Sequence, residues 1–262
     1  MPSSLVSING RPLFVEVSGS GPPFIALHGL GGSTNLFPLA SSLEDKFTVI
    51  RFDFEGAGKS PLASEELTLQ AFVEDVKSVL EYAGKGGEKA VVFGHSLGAA
   101  VGLHFAAAYP DMISHLVLSC PGVARTGNPE LVKMTLALAQ TARDKTPANM
   151  ADFTAMKNTA PSSSLVARAL VRTAMQESTA EGYAKTCEMI ARTGSADWSK
   201  IKVKTLIVAG KEDQISSVEA AETIKGCLTA AESVRVVPVD AGHQPAVECP
   251  EVVLRLLQEF VE

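Results

Sequence analysis

Four short segments in the first 120 residues of this 262-residue chain are almost continuously apolar, and they restrict its fold more than any other feature. They are PFIALH at 23–28, FTVIRFDF at 47–54, AVVFG at 90–94 and ISHLVLS at 113–119. A strand with one face in water alternates apolar and polar residues. Continuous apolarity requires burial on both faces, the condition of central strands in a parallel sheet. Two more strand signals follow at 203–209 and 234–239. A further pair, 3–8 and 12–18, flanks Asn9-Gly10, a dipeptide suited to the positive φ angles of a two-residue hairpin turn.

Helical patterns fill the gaps. Leu69, Phe72, Val73, Val76, Val79, Leu80 and Ala83 recur at steps of three and four between a capping Thr68 and Gly84, which predicts an amphipathic crossover helix. Helices are also predicted over 217–228 and 250–260. After Cys120 strand signals stop, and 129–194 is rich in Ala, Thr and Met. Its helical periodicity breaks at Pro147, Pro161 and Gly182, which predicts three or four helices with no strand to cover. The expected architecture is one α/β domain: a mostly parallel, doubly wound, eight-stranded sheet (1–122 and 201–262) with a helical lid inserted at 123–200.

Charge narrows the partners. Lys plus Arg number 23 against 29 Asp plus Glu, a net charge of −6 that repels a phosphate backbone, so nucleic acid is not an expected partner. No stretch reaches the roughly 18 apolar residues of a membrane helix, and the N-terminus lacks a basic region followed by an apolar run. A cytoplasmic protein is expected. The four cysteines, Cys120, Cys187, Cys227 and Cys249, form no CxxC pair and have no His at ligand spacing. They read as reduced thiols, with neither a metal nor a cofactor implied.

The chemistry gathers around Gly94-His95-Ser96-Leu97-Gly98, directly after AVVF and directly before the small-residue run LGAAVGLHFAAAY. Such a string can arise by chance around a capping serine. Between a strand and a helix, however, it makes a nucleophile elbow, a turn so tight that residues two positions either side of the serine must lack bulk. Serine needs a general base held by a carboxylate. Of five histidines, His28, His95, His104 and His115 lie in a turn, beside the nucleophile, in a helix and in a strand. His243 remains, in the Asp240–Pro245 loop after the last strand. Asp213 follows the penultimate strand as the expected acid, with Glu212 the second candidate. The backbone N–H groups of Leu97 and of Leu30, in the loop His28-Gly29-Leu30-Gly31-Gly32, are expected to hold an oxyanion. The base must be neutral to act, so activity should fall on acidification.

On these motifs, with Asp53-Phe54-Glu55-Gly56-Ala57-Gly58-Lys59-Ser60 matching a D-x-x-G-x-G-x-S turn, the chain resembles the α/β-hydrolase superfamily over nearly its whole length. Asp53 and the glycines after it read as structural. Ala180-Glu181-Gly182-Tyr183-Ala184-Lys185-Thr186-Cys187-Glu188 and Ala196-Asp197-Trp198 are similar to the end of the lid in 3-oxoadipate enol-lactonases. The resemblance implies a serine hydrolase opening a small ester or lactone through an acyl-enzyme. It also implies a cation in the pocket for an anionic lactone, drawn from Arg125, Arg143, Arg168, Arg172 or Arg192. A serine at position 96 departs from relatives with an Asp or Cys nucleophile, while perhydrolysis stays open as a side activity. Trp198, where the lid rejoins the core, either lines the pocket or packs as a hinge. Met134, Met150, Met156, Met175 and Met189 lie in the lid as an adaptable roof or as ordinary core. The rival reading is a non-catalytic ligand receptor or scaffold on the same fold.

Overall fold

Asn9 and Gly10 both take positive φ, 51° and 78°, and so close a hairpin between β1 (Ser4–Ile8) and β2 (Arg11–Gly19). The computed structural model that shows this describes residues 3–262, so the first two residues of the expected core lie outside it. β2 pairs antiparallel with β4 (Thr48–Phe52), and all later pairings are parallel. β3 (Pro23–Leu27), β5 (Ala90–His95), β6 (Ile113–Ser119), β7 (Lys204–Gly210) and β8 (Val234–Val239) complete eight strands in the order β1-β2-β4-β3-β5-β6-β7-β8.

Both faces of the central strands are buried, as the continuous apolar runs require. In β5, Ala90 and Val92 point into one core layer while Val91 and Phe93 point into the other. The first layer is closed by α1 (Leu69–Tyr82), α2 (Leu97–Ala108) and α7 (Val218–Cys227). The second is closed by α9 (Pro250–Val261) and by Phe37, Leu39 and Leu43 of the β3–β4 connection. Thr68 caps α1 by accepting the Ala71 N–H at 3.1 Å. In this first layer Phe72 stacks on Phe54 with ring centroids 4.6 Å apart. Truncating a buried Phe of this kind costs about 3–5 kcal/mol.

Four helices stand between β6 and β7: α3 (Pro129–Lys145), α4 (Pro147–Asn158), α5 (Leu165–Glu177) and α6 (Ala180–Arg192). Pro147 starts α4, and Pro161 lies in the α4–α5 linker. Gly182 does not break a helix. It lies in the first turn of α6, which Thr179 caps by accepting the Gly182 N–H at 3.1 Å. Its lack of a side chain serves packing instead: a Cβ there would overlap the Gly56 carbonyl oxygen. A short helix, α8 (Pro245–Glu248), follows β8 and was not predicted. Among the described residues no helix is long and apolar enough to cross a membrane.

The sheet order reverses at β3. The chain leaves β3 to one side for β4 and returns to its other side for β5. Loops leaving the C-terminal ends of β3 and β5 therefore diverge and open a crevice, the usual ligand position in open α/β sheets.

Candidate active site

Ser96 stands at this crevice with φ 52° and ψ −108°, a conformation that L residues adopt only when their surroundings enforce it. The enforcement comes from two glycines. A Cβ at Gly94 would overlap the Gly98 carbonyl oxygen, and one at Gly98 would overlap the Leu27 carbonyl oxygen of β3. The turn is thus pressed against the neighbouring strand, and Ser96 projects at the start of α2.

His243 Nε2 lies 3.0 Å from Ser96 Oγ, and its Nδ1 lies 2.7 Å from Asp213 Oδ2. The Asp213 side chain has no exposed surface and that of His243 only 5 %. Asp213 Oδ1 accepts the N–H groups of Ile215 at 2.7 Å and Ser216 at 3.0 Å. Burial raises its carboxyl pKa, but His243 and these two amides outweigh burial and hold it below the ordinary value. Glu212 is exposed and directs only its backbone N–H inward, to Ala241 O at 3.0 Å. The geometry selects Asp213 from the two acids.

Leu30 and Leu97 both border a cavity of about 660 Å³ whose wall also holds Ser96 and His243. Neither backbone N–H donates to any group among the described residues. Gly29 brings the first loop close, since a Cβ there would lie 3.2 Å from that of Ser96. The 53–60 turn supports that loop from behind. Asp53 accepts the Thr34 N–H at 2.7 Å and the Lys59 N–H at 2.8 Å. His28 belongs to this scaffold, with its Nε2 accepting the Phe54 N–H at 3.0 Å.

Trp198 lies in the cavity wall. Of the five candidate arginines only Arg125 does. Arg143 pairs with Glu181 and Glu188, Arg172 with Asp152 and Arg192 with Glu66, while Arg168 donates to the Ala160 and Pro161 carbonyls. Lys157 also borders the cavity, donating to Gln214 at 2.8 Å, and no Asp or Glu does. Of the five methionines in the inserted segment, only Met134 reaches the wall, whereas Met150 and Met175 pack within the helices.

Two contributors escaped sequence reasoning. His95 was set aside as a neighbour of the nucleophile, yet its Nε2–H donates to the His243 carbonyl at 2.6 Å. Burial and the nearby His243 push the His95 pKa down to about 3, so it stays neutral. Glu248 accepts bonds on both sides of His243, from Gly242 N at 2.9 Å and Gln244 N at 2.8 Å. The spacing His243 to Glu248, across the Pro245 that begins α8, was the only sequence signal for it. Cys120, Asp213 and His243 offer ligand atoms within 4.8 Å of one another. Burial raises the Cys120 thiol well above its ordinary pKa and keeps it protonated, and Asp213 and His243 are engaged with each other. This chemistry suits a hydrogen-bonded relay rather than a cation.

A family model described as alpha/beta hydrolase fold matches residues 22–248. The chain belongs to the α/β-hydrolase family. Among curated relatives of this hydrolase, the 2-(acetamidomethylene)succinate hydrolase of Mesorhizobium japonicum is 33 % identical over 116 residues, 44 % of this chain and 41 % of that one. The matched part thus spans about two fifths of that relative's length. Among solved structures, a thermophilic esterase from Thermogutta terrifontis superposes with a TM-score of 0.88 at 25 % identity, covering 100 % of this chain and 98 % of the other. The enol-lactonase from Burkholderia xenovorans gives 0.84 at 24 %, covering 99 % of each, a likeness of fold.

Proposed function

We propose that this α/β hydrolase cleaves a small carboxylic ester or lactone through an acyl-enzyme on Ser96. The observation that carries the reading is the continuous hydrogen-bonded line from Ser96 Oγ through His243 to Asp213, at 3.0 and 2.7 Å, on the wall of a 660 Å³ cavity.

His243 Nε2 takes the Ser96 proton as Oγ attacks the carbonyl carbon. Asp213, ionised, holds Nδ1–H and stabilises the imidazolium that results. The developing oxyanion is received by the unengaged Leu30 and Leu97 amides, with the N-terminus of α2 behind them. Collapse of the tetrahedral species breaks the C–O bond, and His243 returns its proton to the leaving alkoxide. In a lactone that alkoxide stays attached to the acyl chain. His243 then draws a proton from water, whose oxygen attacks the ester carbonyl. Collapse of the second tetrahedral species breaks the bond from the acyl carbon to Ser96 Oγ, and His243 returns the proton to Oγ.

An enol-lactone is the first candidate substrate. Its support is the resemblance at 180–188 and 196–198, together with the enol-lactonase and esterase among the structural neighbours. Arg125 is the counter-ion for an anionic substrate, being the one candidate arginine in the cavity wall, where no carboxylate side chain stands. Segment 123–200 acts as a lid over the core formed by 1–122 and 201–262, with Trp198 in the pocket lining. A cytoplasmic location rests on the four free cysteines. The test is turnover of 3-oxoadipate enol-lactone and of a panel of small esters, with Ser96→Ala as control. Loss of all turnover in a folded variant is expected, and turnover retained by that variant would overturn the reading.

A further inference from the structure

His243 reaches Ser96 from a loop rather than from a strand or a helix, and a loop does not by itself hold an imidazole to a fraction of an ångström. Every backbone polar group around it is nevertheless tied. The His243 N–H donates to Asn158 O at 2.9 Å, and its carbonyl accepts from His95. The amides on either side, Gly242 N and Gln244 N, both end on the Glu248 carboxylate.

The same carboxylate faces the inserted helices. Glu248 Oε2 accepts the Ala160 N–H at 2.7 Å and also the Ser163 hydroxyl, both in the α4–α5 linker. Asn158, which holds the His243 N–H, ends α4 at the start of that linker. The linker lies so close that a Cβ at Gly242 would meet the Ala160 nitrogen at 2.5 Å. One carboxylate with about four acceptor sites therefore receives four donors, two from the histidine loop and two from the inserted helices.

We propose that Glu248 is a positioning residue for His243, and that it ties the setting of the base to the docking of the α4–α5 linker against the histidine loop. The proposal rests on the reading of Ser96 and His243 given above. Glu248 makes no bond to Ser96 and does not itself line the cavity, and its bond to the lining residue Gln244 is to the backbone amide beside His243, so its effect on chemistry must pass through the geometry of the histidine loop. Displacement of a reacting group by about 1 Å can cost on the order of 100-fold in rate.

Three substitutions separate the two roles. Glu248→Ala removes all four acceptors. Glu248→Gln keeps the shape but puts an NH₂ group against at least one N–H donor. Ser163→Ala removes one bond on the linker side only. Each variant is titrated with a fluorophosphonate to count folded sites, and kcat and KM are then measured per labelled site on any ester that the wild type turns over. Glu248→Gln should lower kcat about 10-fold and Glu248→Ala about 100-fold, with KM within about 2-fold of wild type. Ser163→Ala should change kcat less than Glu248→Gln does. Wild-type kcat per labelled site in Glu248→Gln overturns the proposal, and this readout stands even if Glu248→Ala fails to fold. A Ser96→Ala enzyme that keeps its turnover would instead overturn the underlying reading, and the role of Glu248 with it.

Discussion

The imidazole of His95 donates its Nε2–H to the carbonyl oxygen of His243 at 2.6 Å, and the two rings meet edge to face with centroids 4.9 Å apart. The residue before Ser96 thus holds the backbone of His243, the proposed base. Burial keeps the His95 ring neutral, and the bond to the His243 carbonyl fixes its single proton on Nε2.

His95→Phe keeps the ring volume but leaves the His243 carbonyl without a donor. An unsatisfied buried acceptor costs about 1–3 kcal/mol. Thermal unfolding should register a loss of that size, and kcat should fall about 10-fold while KM holds. Wild-type kcat in a folded His95→Phe enzyme would show that the bond is dispensable.

Asp75 supplies a test of stability against pH. Its carboxylate has no exposed surface, and Oδ1 accepts from Arg11 at 2.6 Å and Asn9 at 2.9 Å while Oδ2 has no partner. Burial, against these two donors, pushes its pKa up to about 6. Between the ordinary aspartate value near 3.9 and about 6 the folded state holds the extra proton, so stability falls as pH rises through that window. The loss amounts to at most about 3 kcal/mol. Neighbouring Glu55 is displaced the other way: burial raises it, but Arg11 and the amides of Ala63 and Ser64 outweigh burial, so its contribution is lost only in stronger acid. Urea melts from pH 4 to 7 should show the decline in wild type and a flatter profile in Asp75→Asn. Parallel profiles would mean that Asp75 is ionised throughout.

Arg125→Met removes the one candidate arginine of the cavity wall while keeping much of its apolar stem. For an ester carrying a carboxylate, KM should rise about 10-fold or more, consistent with the roughly 1.5–3 kcal/mol of a charge-assisted hydrogen bond. A neutral ester of the same shape should be handled alike by both enzymes. Equal losses on the two substrates would place the anion elsewhere, with Lys157 next in line.

The sheet was legible because its strands carry a physical signature. Val92 and Phe93 must each find an apolar layer, and only a doubly covered sheet provides two. Ser96, Asp213 and His243 were legible for a related reason, since each follows a strand whose end fixes where the next loop begins. Gly182 misled because a glycine needed for close approach to Gly56 looks, in sequence, like a helix terminator. His95 and Glu248 were invisible in their roles because their partners are backbone atoms, which carry no residue-specific mark in a sequence. Arg125 could be named only as one of five, since its lack of a partner depends on where the acidic residues of α4, α6 and the 53–68 loop fall in space.

The most direct test of the central claim is mass spectrometry of the intact protein and of its peptides, acid-quenched after rapid mixing with an activated ester such as p-nitrophenyl acetate. A transient adduct of one acyl group should appear on the Ser96 peptide of wild type, decay with release of acid, and be absent from folded Ser96→Ala. An adduct on another residue, or full turnover by Ser96→Ala, would contradict the assignment of Ser96 as the nucleophile.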